Sequence, residues 1–126
     1  MLDLESFTSG LLAALCLEGQ QTLLRVRWDE GLAAAFQELI TKQPKVEPEF
    51  RIRIDRVHGN SANAFSALHH AVTAGLVAIS FPDRSHIHLK LDQDWAIHIL
   101  KQIDGGIQRY RPLAKAYLIA AHIDSK

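Results

Sequence analysis

This chain of 126 residues has a single cysteine and no net charge. With Cys16 alone, no disulfide can form within the chain, and its apolar helical surroundings predict a buried small side chain rather than a nucleophile. The 14 Lys and Arg residues balance the 14 Asp and Glu residues, so the formal net charge is zero. This balance excludes a globally basic nucleic-acid wrapper and an acidic tail, and any electrostatic function must come from local clustering.

Long apolar runs are also absent. None reaches the roughly 18 to 20 residues that a membrane span needs, and Asp3 and Glu5 stand where a signal peptide would carry basic residues. We therefore expect a cytoplasmic protein with no membrane partner. Apolar residues make up 48% of the chain, which is enough for one hydrophobic core, so we expect residues 1–126 to form a single domain.

Apolar residues at three- and four-residue spacing predict five helices. In chain order the predicted helices run over residues 3–18, from a cap at Asp29 to about Lys42, from the turn Gly59-Asn60-Ser61 to Gly75, from Asp92 to the break at Gly105-Gly106, and from about Pro112 to His122. In the third helix the spacing predicts that Phe65, Leu68 and Val72 face the core.

Alternation of apolar and polar residues predicts four strands. These cover residues 22–28, 49–55, 76–81 and 85–91, the last two joined by a connection short enough for an antiparallel hairpin. In the first strand, Leu24, Val26 and Trp28 would lie on one face. Between the outer helices the order is strand, helix, strand, helix, strand, strand.

This order predicts an α+β fold. The expected architecture is a two-layer sandwich with a four-stranded mixed sheet (a β-α-β-α-β-β core), two helices on one face, one N-terminal helix and two C-terminal helices. A winged helix is the alternative. It is disfavoured because only about twenty residues separate the second predicted strand from the hairpin, too few for two helices.

The outward positions of the predicted strands are basic. They are Arg25, Arg27, Arg51, Arg53, His86, His88 and Lys90. Like charges on neighbouring strands repel, so this face could hold nucleic acid or another polyanion through its phosphates. No aromatic residue accompanies them to stack bases, and the competing interpretation is a solvated face or ion pairs with a terminal helix.

Two further groups could carry chemistry. His86 and His88 lie on one strand face at a spacing that suits two metal ligands, but no motif ties a third ligand to them, so we expect no metal and no cofactor. The turn between the second strand and the third helix could hold an anion at the helix start, although a simple helix cap is the competing interpretation. Its residues are Arg56, His58, Asn60 and Ser61.

The terminal helices carry more apolar residues than two core helices and a sheet can obviously bury. Pairing with a second copy or another protein would bury them, and burial within the chain is the alternative. The candidate interface residues are Trp95, Arg109, Tyr110 and Tyr117.

No motif of a known catalytic class is present. The sequence therefore favours a non-catalytic binding or regulatory module that self-associates through its terminal helices as a homo-oligomer. The alternatives are a polyanion-binding domain that uses the basic sheet face, and a small enzyme that uses His58 or the pair His86 and His88.

Overall fold

The computed structural model describes residues 2–43, 45–46, 48–50, 52, 62–80, 84–103 and 105–121. Within them lie five α-helices, three strands and one short 3-10 helix. In chain order they are α1 (Leu4–Leu17), β1 (Thr22–Leu24), the 3-10 helix (Arg25–Arg27), α2 (Trp28–Lys42), α3 (Ala62–Thr73), β2 (Val77–Ile79), β3 (His86–Leu89), α4 (Gln93–Gln102) and α5 (Gly106–Ala120).

Helix α5 packs against both α1 and α2, and α4 packs against α1. Two glycines explain how closely α5 approaches. A Cβ atom at Gly31 of α2 would lie 2.5 Å from the Tyr117 ring, and one at Gly10 of α1 would lie 2.6 Å from the Tyr110 ring. Both tyrosine side chains are fully buried, so the missing Cβ atoms make room for the two largest side chains that α5 contributes.

Three phenylalanines join α1, α2 and the segment after α2. The Phe7 ring centroid lies 6.2 Å from that of Phe36 and 5.3 Å from that of Phe50, and Phe36 and Phe50 are 5.3 Å apart. These distances lie within the range of favourable aromatic pairs. Phe50 is therefore held by helical side chains.

The predicted four-stranded mixed sheet is wrong. The described residues form a three-stranded antiparallel sheet in the order β1-β3-β2, and helices make up most of the remaining structure. Leu23 pairs with Ile87, and Ile79 pairs with Ile87 from the other side. Leu23, Val77 and Ile87 are buried, so the sheet has one apolar inner face, as the predicted hairpin required.

The first predicted strand ends after three residues. After Leu24 the chain turns into the 3-10 helix Arg25–Arg27, and α2 begins at Trp28. The indole N–H of Trp28 donates a 2.7 Å hydrogen bond to the buried main-chain carbonyl of Ala64 in α3. Packing of this large side chain against α3 stabilises the helical start where alternation alone predicted more strand.

The second predicted strand, residues 49–55, is not supported where it is described. Glu49, Phe50 and Ile52 lie outside regular strands, and the neighbouring Pro48 makes only an isolated bridge with Leu2. Residues 51 and 53–55 lie outside the described residues. The apolar residues that suggested the strand pack into the helical core instead: Ile52 is buried, and Phe50 contacts Phe7 and Phe36.

Aspartate side chains cap α1 and α4, whereas Arg27 and Gly105, which precede α2 and α5, make no side-chain cap hydrogen bond. The predicted Asp29 cap is wrong, because α2 already begins at Trp28. The carboxylates of Asp3 and Asp92 each accept a 2.7 Å hydrogen bond from a main-chain N–H in the first turn of α1 and α4, as N-cap residues do. The predicted start of the last helix at Pro112 is wrong, because α5 begins at Gly106 and contains Pro112. Burial of Tyr110 and Tyr117 on the same helix offsets the cost of an internal proline.

The winged-helix alternative is disfavoured only if residues 49–55 form a strand. In the structure α2 and α3 both precede the hairpin of β2 and β3, and β3 lies between the other two strands. The element order from α1 to β3 is therefore compatible with that of a winged helix. Element order carries no function by itself. Across the described residues, no helix is long and apolar enough to cross a membrane.

Candidate functional site

Helix α3 buries its small side chains and exposes its large ones. Ala64, Ala67 and Ala71 face the interior together with Leu68, whereas Phe65 is 65% exposed and Val72 is also exposed. The prediction that Phe65 and Val72 face the core is therefore wrong. The helix is rotated about its axis, relative to the prediction, so that the alanines face the interior instead. The alanines allow α3 to lie close to its neighbours, and this leaves the phenylalanine on the surface.

An open groove runs between α3 and the junction of β1 with α2. Its volume is about 410 Å³. It is lined by Leu24, Arg25, Val26, Trp28, Asp29, Phe65, Leu68, Arg84 and Ser85. Val26 is 79% exposed and Leu24 also reaches solvent, so the groove lies among apolar side chains that project from the surface. We call Leu24, Val26, Phe65 and the groove between them the α3 groove surface.

The short length of β1 explains why Val26 is exposed. Because the strand stops at Leu24, Val26 falls in the 3-10 helix and loses the inward position that alternation would give it. Trp28, two residues later, is buried and anchored to α3. One wall of the groove is therefore fixed by a hydrogen bond between α2 and α3.

The charge at this groove is mixed. Arg25 and Arg84 supply cations and Asp29 supplies a carboxylate, while Arg27 on the neighbouring turn forms a 3.0 Å ion pair with Glu30. Helix α3 itself contains no Lys, Arg, Asp or Glu. The described lining of this groove is therefore not the cluster of cations that a phosphate backbone calls for.

The predicted basic sheet face is not assembled as a seven-residue surface. Arg25 and Arg27 lie in the 3-10 helix, and Arg51 and Arg53 lie outside the described residues. His86, His88 and Lys90 remain together on and beside β3, where His88 is exposed and His86 is half-buried. The described terminal helices therefore do not cover this part of the sheet.

The two β3 histidines are held by hydroxyl groups. The Ser85 hydroxyl lies 2.7 Å from His86 Nδ1, and the Thr22 hydroxyl lies 3.4 Å from His88 Nδ1. The two imidazole rings are 6.3 Å apart and nearly parallel. The part of the chain that the structure describes holds no group of three or more His, Cys, Asp or Glu side chains that could bind a metal.

The candidate interface on the terminal helices is divided. Trp95 is partly exposed on α4, whereas Tyr110 and Tyr117 are fully buried within the chain. Arg109 is half-buried and donates a 2.7 Å hydrogen bond to the Gln43 side chain. Of these four residues only Trp95 presents a large apolar area to a partner.

Among the described residues, burial raises the pKa of two side chains. It raises the pKa of the Tyr117 hydroxyl, and the Asp29 carboxylate raises it further. Burial also raises the pKa of the Cys16 thiol, with a smaller contribution from Asp92. The Cys16 thiol donates to the Leu91 carbonyl at 3.4 Å. Both groups stay protonated at neutral pH, so neither is poised as a nucleophile.

A smaller pocket of about 200 Å³ lies between α1 and the end of α3. There His70 Nδ1 lies 3.4 Å from the Glu5 carboxylate, beside the hydroxyls of Thr8 and Ser9. Both side chains are largely exposed, so their contact is a surface interaction of small energy. The predicted anion site, comprising Arg56, His58, Asn60 and Ser61, lies outside the described residues.

Comparisons of the chain with models of protein families, with curated proteins and with solved structures find no match. Sequence reasoning missed Leu24, Val26 and Phe65 as surface residues because their periodicity assigned them to the core. The recurring alanines at positions 64, 67 and 71 are the signal that could have shown which face of α3 is buried.

Proposed function

We propose that the protein is a non-catalytic interaction module that associates with copies of itself. The observation that carries this proposal is the α3 groove surface, where Val26 and Phe65 are 79% and 65% exposed around an open groove. Exposed apolar patches on a folded domain mark protein–protein interaction sites or ligand-binding grooves. Zero net charge removes the long-range repulsion that would keep copies apart.

Light scattering coupled to size exclusion, over a hundredfold range of protein concentration, tests this proposal. We expect the average mass to rise from the 14.1 kDa of one chain toward a multiple of it as concentration increases. A mass that stays at one chain throughout this range would contradict self-association.

A second candidate function is supported by the row formed by His86, His88 and Lys90. No Asp or Glu lies among the described residues of β1, β2 and β3, so a polyanion could approach this face without meeting a carboxylate on these strands. Retention on heparin would test it. Retention that falls with salt and with the triple change His86→Ala/His88→Ala/Lys90→Ala would favour polyanion binding, and passage without retention would contradict it.

A further inference from the structure

The outward face of β3 presents two imidazole rings side by side. His86 and His88 alternate with Ile87, which is buried on the inner face, so both histidines point to the same side of the sheet. Their ring centroids are 6.3 Å apart. Directly opposite His88 lie Thr22 on β1 and Ala78 on β2, and these small side chains leave the His88 ring exposed. The pair is therefore open to a ligand from solvent.

Hydroxyl contacts leave one nitrogen of each ring available. Nδ1 of His86 lies 2.7 Å from the Ser85 hydroxyl, and Nδ1 of His88 lies 3.4 Å from the Thr22 hydroxyl. When Nδ1–H donates to a hydroxyl oxygen, the lone pair of the neutral ring is on Nε2, and this is a form in which histidine binds metals. Neither Nε2 atom makes a hydrogen bond within the described residues. Each ring can therefore offer Nε2 to a metal ion without losing its hydroxyl contact.

The distance between the rings suits one metal ion bound to both. In such a complex each Nε2 lies about 2.0–2.1 Å from the metal, which places the two ring centroids roughly 4.5–6.5 Å apart according to the bond angle at the metal. The observed separation of 6.3 Å lies within this range. Rotation about the side-chain bonds, with no change in the strand, can therefore turn both Nε2 atoms toward one ion.

The ligand atoms select the class of ion. Imidazole nitrogens suit divalent copper, nickel and zinc, whereas magnesium and calcium need oxygen ligands, and the described strands carry no Asp or Glu. The described residues bring no third His, Cys, Asp or Glu side chain to the pair, so water would complete the coordination. The sequence-based expectation of no metal required a third protein ligand, which a two-imidazole chelate does not need.

We propose that His86 and His88 together bind one divalent transition-metal ion, with copper preferred over nickel and zinc, as the general order of affinities for these ions requires. Metal binding at this site goes beyond self-association and does not depend on it. Lys90 follows on the same row, and its long exposed side chain can turn its charge away from the ion.

Isothermal titration calorimetry of the full chain with CuCl₂, NiCl₂ and ZnCl₂ at neutral pH tests the proposal. We expect one ion per chain. His88→Ala removes one ligand at an exposed position, and we expect it to weaken binding of each ion at least about 10-fold, because the remaining imidazole no longer acts within a chelate. Circular dichroism checks that this variant keeps the fold.

The double change His69→Ala/His70→Ala is the matched control. These two rings on α3 are 6.4 Å apart, but their planes are inclined by 60°, and His70 already contacts Glu5. Because adjacent helix positions point about 100° apart, the two rings do not form a chelating pair. We expect this control to change the dissociation constants by less than about twofold.

Two further measurements sharpen the test. Trace Cu²⁺ should broaden the ring NMR signals of His86 and His88 before those of the other histidines. Lys90→Ala removes a nearby cation, so metal affinity should stay the same or rise, whereas retention on heparin should fall if the same face binds a polyanion.

Absence of binding in the unaltered chain would overturn the metal site, whatever mass the chain has in solution. Equal losses of affinity in His88→Ala and in the α3 control, earlier broadening of other histidines, or weaker metal binding in Lys90→Ala would overturn it as well. Self-association is measured separately by mass, so failure of one proposal leaves the other standing.

Discussion

Two apolar regions of this molecule differ in whether their large side chains are buried. In the α1, α2 and α5 region, Tyr110 and Tyr117 are completely buried, and Gly10 and Gly31 make room for their rings. In the α3 region the small residues face inward and Phe65 faces solvent. The first arrangement uses aromatic area for stability of the single chain. The second leaves most of the Phe65 side chain outside the fold, where it is available for association.

The largest expected difference in stability comes from replacing one phenylalanine by alanine in each region. Phe7→Ala removes a fully buried ring from the contacts with Phe36 and Phe50, and we expect it to lower the free energy of unfolding by about 3–5 kcal/mol. Phe65→Ala removes a ring that is 65% exposed, and we expect a change within about 0.5 kcal/mol in the monomer.

Urea denaturation at a concentration where the chain is monomeric measures both values. Equal losses of stability in the two variants would contradict the contrast. A large loss in Phe65→Ala alone would show that α3 is packed through its large side chains.

The close approach of α5 to α2 gives the next test. Gly31→Ala places a Cβ atom 2.5 Å from the Tyr117 ring. Since a fully buried ring has little room to move, we expect a loss of about 1–3 kcal/mol in unfolding free energy despite the better helix propensity of alanine. Gln37→Ala, at an exposed position of the same helix, is the control and should change stability by less than about 0.5 kcal/mol. A stabilised Gly31→Ala variant would mean that α2 and α5 are less closely packed.

Removal of the cap of α4 is expected to have a smaller effect on stability. Asp92→Ala removes the carboxylate that accepts a hydrogen bond from the Trp95 main-chain N–H at the start of α4. We expect a loss of about 1 kcal/mol, which Asp92→Asn should largely restore because the amide oxygen can accept the same bond. Thermal unfolding of the two variants measures the difference. If Asn restores nothing, the charge of Asp92 matters more than its hydrogen bond.

The smallest expected effect is the pH dependence of stability that Tyr117 contributes. Its hydroxyl makes no hydrogen bond within the described residues, so Tyr117→Phe should change stability little at neutral pH. The pKa of Tyr117 is raised in the folded chain by burial and then by Asp29. The folded state therefore holds this proton more tightly than the unfolded state, whose pKa is about 10, and stability is lost as pH rises above that value.

Urea unfolding at about pH 8 and about pH 11 tests this expectation. The Tyr117→Phe variant should lose less stability between the two pH values than the unaltered chain. Equal losses would show that this hydroxyl does not resist ionisation in the folded state.

Local signals in the sequence predicted much of the helical structure. Helix α4 begins directly after Asp92, as predicted, and α2 begins within one residue of its predicted start and ends at Lys42. The hairpin of β2 and β3 was also predicted from alternation and the short connection, and the structure confirms the antiparallel pairing. These features depend on neighbours in sequence, and such neighbours are visible without a structure.

The errors arose where distant packing decides the outcome. Alternation in residues 22–28 could not show that the strand would end at Leu24 and that Trp28 would begin α2 and donate to the Ala64 carbonyl. Phe50 satisfies its apolar pattern against Phe7 and Phe36 rather than in a sheet. The groove was missed for the same reason. Periodicity identifies an apolar face of α3, but which part of that face is covered depends on the elements placed around it.

The hydrogen bond from Trp28 to α3 has an optical consequence. The chain contains two tryptophans: Trp28, which is buried with its indole N–H bonded to a carbonyl, and Trp95, which is partly exposed on α4. Their intrinsic fluorescence therefore reports two different surroundings, and a soluble quencher should reach Trp95 far more readily. Because Trp28 lines the groove while Trp95 does not, emission from a Trp95→Phe chain comes from one wall of the groove alone. The protein thus carries its own probe of whatever enters that space.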